Sequence, residues 1–167
     1  IRGIMNGTSN YILTKMKEDK LDFEEALHLA AEMGYAEADP SYDVDGIDAG
    51  HKIAILSSLA YGGYINFSEV YLQGIRDISL VDIFEAEKLG FSIKLIASSK
   101  INEDKLVEIS AEPILLKNEK LLSNVNDVYN AIEVTGSYTG KTLFYGKGAG
   151  MEPTASAVIS DIVKIAT

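Results

Sequence analysis

The chain of 167 residues is long enough for one domain with a real core, and its 47% hydrophobic content excludes disorder. A formal net charge of −10 argues against nucleic acid and against an anionic membrane surface as partners. The lack of cysteine excludes disulfides and thiol chemistry and agrees with a cytoplasmic location, no signal peptide is visible, and no apolar run reaches the ~18–20 residues that cross a bilayer.

The opening Ile1-Arg2-Gly3-Ile4-Met5 reads as the end of a crossing strand, and so abrupt a start reads as a piece of a longer chain. Thr8 or Ser9 can cap a helix running to about residue 18. Asp22 and Glu25 form a capping-box-like start for a helix over 23–33, with Ala26, Leu29, Ala30 and Met33 at helical spacing and Gly34 as its stop. An acid-rich loop follows, then a helix over 47–61 that ends at Gly62-Gly63. The stretch 66–78 fits a short helix after Ser68 and an extended piece near Ile75. Ser79 with Asp82 caps a helix to residue 89, which Gly90 ends.

From Phe91 the texture changes to strands. Residues 92–99 and 105–116 are rich in Ile, Leu and Val, with a turn at Asn102-Glu103-Asp104. Two further strands span 128–135 and 142–145, joined near Thr139-Gly140. Pro153 opens a last helix to about residue 165. Helices first, then strands joined by short turns, predict an α+β fold with the helices packed on one face of a mixed, largely antiparallel sheet. The other face must meet water or a partner, and an apolar face there will pair with a second copy.

The stretch Gly34 to Lys52 carries five carboxylates, Glu37, Asp39, Asp43, Asp45 and Asp48, with Lys52 four residues after Asp48. Acids on a loop commonly do no more than face water. Here the loop opens into a helix that is apolar nearly all round, so Asp48 and Lys52 fit the start of a buried helix, where residues four apart share a face. Burying a lysine without a partner is costly. Several carboxylates around one lysine can hold an ammonium group and move a proton. A calcium loop of the EF-hand type does not fit: with Gly46 at its sixth position, Ser41 falls first and Lys52 falls where the bidentate acid must be.

Gly146-Lys147-Gly148-Ala149-Gly150 suggests a dinucleotide fingerprint, but the third glycine is missing, since Met151 or Pro153 stands in its place. What remains is a turn that lets backbone approach something closely, followed by a helix N-terminus. His28 and His51 are isolated and make no zinc site. Lys94 interrupts an apolar strand pattern, as an edge lysine or as one half of a buried pair, and receives no role.

Gly34 to Leu56, read as GYAEADPSYDVDGIDAGHKIAIL, resembles the signature of homoserine dehydrogenases. Asn6-Gly7-Thr8-Ser9-Asn10-Tyr11 resembles the same family's Asn-Gly-Thr-x-Asn-Tyr segment, and Gly148-Ala149-Gly150 with Pro153-Thr154-Ala155 resembles its carboxy-terminal segment. The resemblance implies that 1–167 is the substrate-binding and dimerisation domain of an enzyme of threonine and methionine biosynthesis. That enzyme interconverts L-aspartate 4-semialdehyde and L-homoserine with NAD(P), and acts as a homodimer. The cofactor would be held mainly by a Rossmann domain that precedes this point in the family. By the same resemblance Lys52 is the general acid or base and Asp48 orients it. Glu37 and Asp43 clamp the substrate's ammonium, Thr8 and the backbone near Tyr35 line the pocket, and Gly148 and Gly150 approach the nicotinamide. The alternative is a folded substrate-binding and dimerisation module with no turnover as an isolated fragment.

Overall fold

The computed structural model describes residues 1–166. The elements are β1 (Arg2–Ile4), α1 (Gly7–Glu18), α2 (Phe23–Glu32), α3 (Ser41–Val44), α4 (Ile47–Tyr61), β2 (Tyr71–Leu72), α5 (Leu80–Lys88), β3 (Phe91–Ile101), β4 (Val107–Lys117), β5 (Tyr129–Gly136), β6 (Gly140–Lys147) and α6 (Met151–Ala166), with short 3-10 turns at Phe67–Glu69 and Leu121–Asn124. One six-stranded sheet runs β2-β4-β3-β1-β5-β6, and every neighbouring pair is antiparallel except β2 with β4. The opening strand therefore lies in the middle of the sheet, and Met5 and Asn6 leave it at the base of α1.

The larger core lies between the helices and one sheet face. Tyr11, Ile12, Leu13 and Met16 of α1, Ala26 and Ala30 of α2, Ile53 of α4 and Ile83 of α5 meet Leu95, Ala97 and Ala111. Strand alternation sends the other side chains of β3 and β4 to the opposite face. There Ile4, Ile96, Leu116 and Ala131 join Leu122 and Val125 of the 3-10 turn region in a smaller cluster. Beyond that cluster the outer face is charged: Glu133 pairs with Arg2 at 2.8 Å and Lys141 at 3.5 Å, and Lys100 pairs with Glu108 at 2.9 Å. These groups line a shallow depression of about 880 Å³. The part of the outer face around Arg2 and Glu133 is thus charged rather than apolar.

Several local expectations need correction. The cap of α1 is Asn6, whose Oδ1 accepts from Ser9 N–H, rather than Thr8 or Ser9. Asn is as strong an N-cap as Ser, and starting the helix earlier frees the Thr8 and Ser9 hydroxyls for other bonds. The acid-rich loop contains the one-turn helix α3 behind Pro40. Lys52 lies in the second turn of α4, and its side chain is 46% exposed rather than buried. Ile55 and Leu59 on the same helix also face outward, because α4 contacts the body along one stripe only.

Lys94 is not an edge residue. It is buried, and its Nζ donates to Asn10 Oδ1 at 3.0 Å, Val125 O at 2.7 Å and Asn126 Oδ1 at 3.0 Å. Asn10 Nδ2 in turn donates to the carbonyls of Val125, Asp127 and Tyr129. The partners of Lys94 are neutral, so burial pushes its pKa down from the ordinary value to about 8, helped by the like charge of Lys17. This network ties the segment entering β5 to α1 and β3. Among the described residues no helix is long and apolar enough to cross a membrane.

Candidate active site

Gly46 starts the site. Its φ of +81° is a left-handed conformation that a residue with a Cβ adopts only at a cost, and it turns the chain from α3 into α4. The turn brings Asp43, from α3, beside Asp48, on the first turn of α4. Asn6 lies between them: one amide nitrogen donates to Asp43 Oδ1 at 2.6 Å and to Asp48 Oδ2 at 2.8 Å. Without this shared donor two neighbouring carboxylates would repel. Asn6 is buried and also caps α1, so the start of that helix and the acidic pair are fixed by one side chain.

Asp48 Oδ2 also accepts from Lys52 Nζ at 2.7 Å, one helical turn on. Lys52 Nζ donates a second hydrogen bond to Met5 O at 2.9 Å. An ammonium carries three donors, so one remains for a ligand. Ser9 Oγ donates to Asp43 O and Thr8 Oγ1 donates to Tyr35 O, both at 2.8 Å. The Tyr35 ring meets Tyr11 edge-on at 5.0 Å. These contacts dock the loop after α2 onto the start of α1.

Across from this wall, the bend between β6 and α6 presents Gly148, Ala149 and Gly150. A Cβ on Gly148 would fall 1.9 Å from Asn130 Nδ2, and Gly150 has φ +120°. Apart from the Ala149 methyl, this stretch offers bare backbone. Such a surface suits a flat ring pressed against it, so the residues present fit a nicotinamide.

The cavity of about 470 Å³ between the two walls is lined by Thr8, Tyr35, Glu37, Asp43, Asp48, Lys52, Gly148 and Gly150 together with Asn6, Val128 and Asn130. All eight residues singled out from the sequence thus come together, across about 140 residues of chain. The remaining two acids of the loop do not join them. Asp45 pairs with Arg76, which also donates to Ser41 Oγ at 2.9 Å, and Asp39 accepts from Ser41 N–H at 3.1 Å. His51 stacks between Tyr42 and Phe67 and plays no part in the cavity. Among the described residues no cluster of His, Cys, Asp and Glu could hold a metal ion.

Sequence reading gave no role to Asn6 or Asn130. A signal existed for each: Asn immediately before a helix is a cap, and Asn inside the apolar run of β5 is out of place in a strand.

An α+β domain that gathers three carboxylates, one lysine and a glycine-rich bend around one cavity has the groups to hold a small cation on one wall and a flat ring on the other. Comparison with known proteins makes the class specific. The family model for homoserine dehydrogenase matches residues 1–163, and the chain belongs to that family. It is 49% identical to a homoserine dehydrogenase of Synechocystis and 50% identical to one of Helicobacter pylori, each over 99% of this chain and 39% of the relative. The chain therefore spans about two fifths of the length of the curated relatives it matches. Its fold superposes on homoserine dehydrogenases from Staphylococcus aureus (TM-score 0.93, 46% identity, 99% of this chain and 42% of that one) and Thiobacillus denitrificans (TM-score 0.94, 44% identity, 97% and 37%). A hyperthermophilic archaeal homoserine dehydrogenase mutant in complex with NADPH is similar at TM-score 0.77 and 31% identity, over 98% of this chain and 46% of that one.

Proposed function

We propose that this domain supplies the substrate pocket and the proton-transfer group of a homoserine dehydrogenase, interconverting L-aspartate 4-semialdehyde and L-homoserine. The observation that carries this reading is the convergence of Glu37, Asp43, Asp48 and Lys52 on one cavity that also has a bare-backbone wall. The nicotinamide of NAD(P)H supplies the hydride when bound, and most of its holding contacts come from a nucleotide-binding domain of the complete enzyme. Gly148 and Gly150 of this chain would offer that ring backbone without side chains to approach.

In the reducing direction the substrate's carbonyl carbon receives the hydride and its oxygen needs a proton. Lys52 gives that proton through its third N–H, and in the alcohol direction it takes one back. Asp48 holds the ammonium in place and stabilises its charge. Asp43 and Glu37 bind the substrate's own ammonium, a task for anions. Thr8 fixes the Tyr35 carbonyl that borders the pocket, so its role is to position backbone.

The working unit is a homodimer built on the sheet's outer face, where the charged depression around Arg2 and Glu133 gives paired charges for a second copy to match. Sedimentation of the full-length protein tests this part, and a monomer at high micromolar concentration would count against it. The function itself is tested by titrating homoserine into the full-length protein in a calorimeter and by following homoserine-dependent reduction of NAD and NADP. Binding with turnover is the expected result, and no binding of homoserine overturns the reading.

A further inference from the structure

Among the described residues, Asn130 Oδ1 is the one buried side-chain polar atom with no hydrogen-bond partner. Buried polar atoms are nearly always paired, and an unpaired one is a group waiting for a donor. Asn130 sits in β5, opposite Gly146 of β6, and directly under the glycine-rich bend.

Its position is particular. A second, apolar recess of about 320 Å³ adjoins the main cavity, lined by Met5, Ile55, Leu56 and Ile132 together with Lys52, Asn130 and Gly148. The last three residues line both spaces and so form the throat between them. The recess offers apolar walls for one ring and, at its throat, the Asn130 carboxamide beside the Lys52 side chain. A ligand matching that surface is a flat ring bearing one primary amide. Two primary amides are complementary, since each brings an acceptor oxygen and a donor nitrogen.

We infer that Asn130 is a cofactor-recognition residue, its side-chain oxygen accepting a hydrogen bond from the amide N–H of the nicotinamide carboxamide in the recess beside Lys52. This rests on the functional reading above. It places the ring beside the lysine that handles the substrate oxygen, and it accounts for a polar residue on the face of β5 that also carries Ile132.

The test compares two cofactors in the full-length protein: the oxidised nicotinamide dinucleotide and its 3-acetylpyridine analogue, which keeps the carbonyl and lacks the amide N–H. Dissociation constants are measured by calorimetry for wild type, Asn130→Leu and Asn130→Ala. Wild type is expected to prefer the natural cofactor by roughly 2- to 13-fold, the worth of one net hydrogen bond. Both variants are expected to lose that preference and to keep wild-type affinity for homoserine. Asn130→Leu keeps the branched shape without the unpaired oxygen, so its ligand-free melting temperature is expected to match or exceed that of wild type. A residue that only holds the fold would lower it.

Equal preference in wild type and either folded variant overturns the assignment, as does a loss of homoserine affinity with cofactor preference intact. A wild-type protein that binds neither nicotinamide dinucleotide nor homoserine sinks the functional reading itself, so the two failures are distinguishable.

Discussion

The two walls of the cavity are built on opposite plans. On the acidic wall most of the chemical groups are satisfied within the chain: Asp43 and Asp48 share Asn6, Lys52 is held by Asp48 and Met5, and Thr8 holds Tyr35. On the glycine wall backbone lies bare, the Asn130 oxygen has no partner, and α6 leaves the bend without burying any of its described residues. A wall that satisfies itself is preorganised, so its charges need little rearrangement when a small polar substrate arrives. A wall left unsatisfied gains its partners from what binds there. Under the proposed function, the difference divides the domain's work, with charge and proton handling on one side and shape on the other.

The largest expected effect comes from breaking the acidic wall at its working group. Lys52→Ala in the full-length enzyme should lower turnover by roughly 10²–10⁴, the usual worth of a positioned acid or base. KM should change less, because the lost interaction belongs mainly to the transition state. Melting temperature measured on the same preparation separates this from loss of the Asp48 pair as a loop fastener. Near-normal turnover in the folded variant would remove the central assignment.

Much of the acidic wall was legible in the sequence because its information is local. Asp48 and Lys52 share a helix face by spacing alone, and Gly46 and Pro40 announce the turns on either side. The capping boxes of α2 and α5 were equally readable, since Asp22 with Glu25 and Ser79 with Asp82 each close within four residues. The eight site residues were named chiefly through resemblance, and no spacing rule could bring Gly148 to Lys52. The cap of α1 was placed at Thr8 or Ser9 because three possible caps, Asn6 among them, lie within four residues and only the fold decides among them. The central place of β1 depends on partners about 90 to 130 residues away, and the buried state of Lys94 on partners 31, 32 and 84 residues away, which local pattern does not carry.

The segment that enters β5 is anchored by Lys94, and pH exposes that anchor. Its folded pKa of about 8 lies below the ordinary 10.5, so the unfolded chain holds more protons between those values. Stability therefore rises with pH in that window, and the penalty of the buried charge is fully present below pH 8. The shift corresponds to about 3 kcal/mol at most. Denaturation midpoints at pH 7 to 10 should show wild type gaining on Lys94→Met as pH rises above 8. A difference that stays flat across the range would mean the amine is better solvated than its burial implies.

A smaller effect is expected from Glu37, an exposed member of the acidic wall. The ion pair proposed for it with the substrate's ammonium would hold in ground and transition states alike, so Glu37→Ala should raise KM for homoserine roughly 10-fold, at the weak end for a charged hydrogen bond. Turnover should fall less than KM rises. The reverse pattern would assign Glu37 to the chemical step and blur the division between binding acids and the lysine.

The smallest effect tests whether acidity alone defines the wall. Asp45 lies two residues from Asp43 and three from Asp48, yet it turns away and pairs with Arg76. The arginine's other hydrogen bond, to Ser41, ties that pair to the first residue of α3. Both partners are substantially exposed, at 41% and 38% of their side-chain surface. Exposed pairs of this kind contribute about 0.2–1 kcal/mol, and salt screens them. Asp45→Asn should therefore lower the melting temperature slightly, by an amount that shrinks in high salt, and leave both kinetic constants for homoserine within about twofold of wild type. If it instead raised KM as far as Glu37→Ala does, the loop's charge would act as a diffuse field. If turnover dropped, the orientation of α3, and through it the Asp43–Asn6–Asp48 bridge, would depend on the outer ion pair. Only a near-silent Asp45 keeps the distinction between carboxylates that face the ligand and carboxylates that hold the loop.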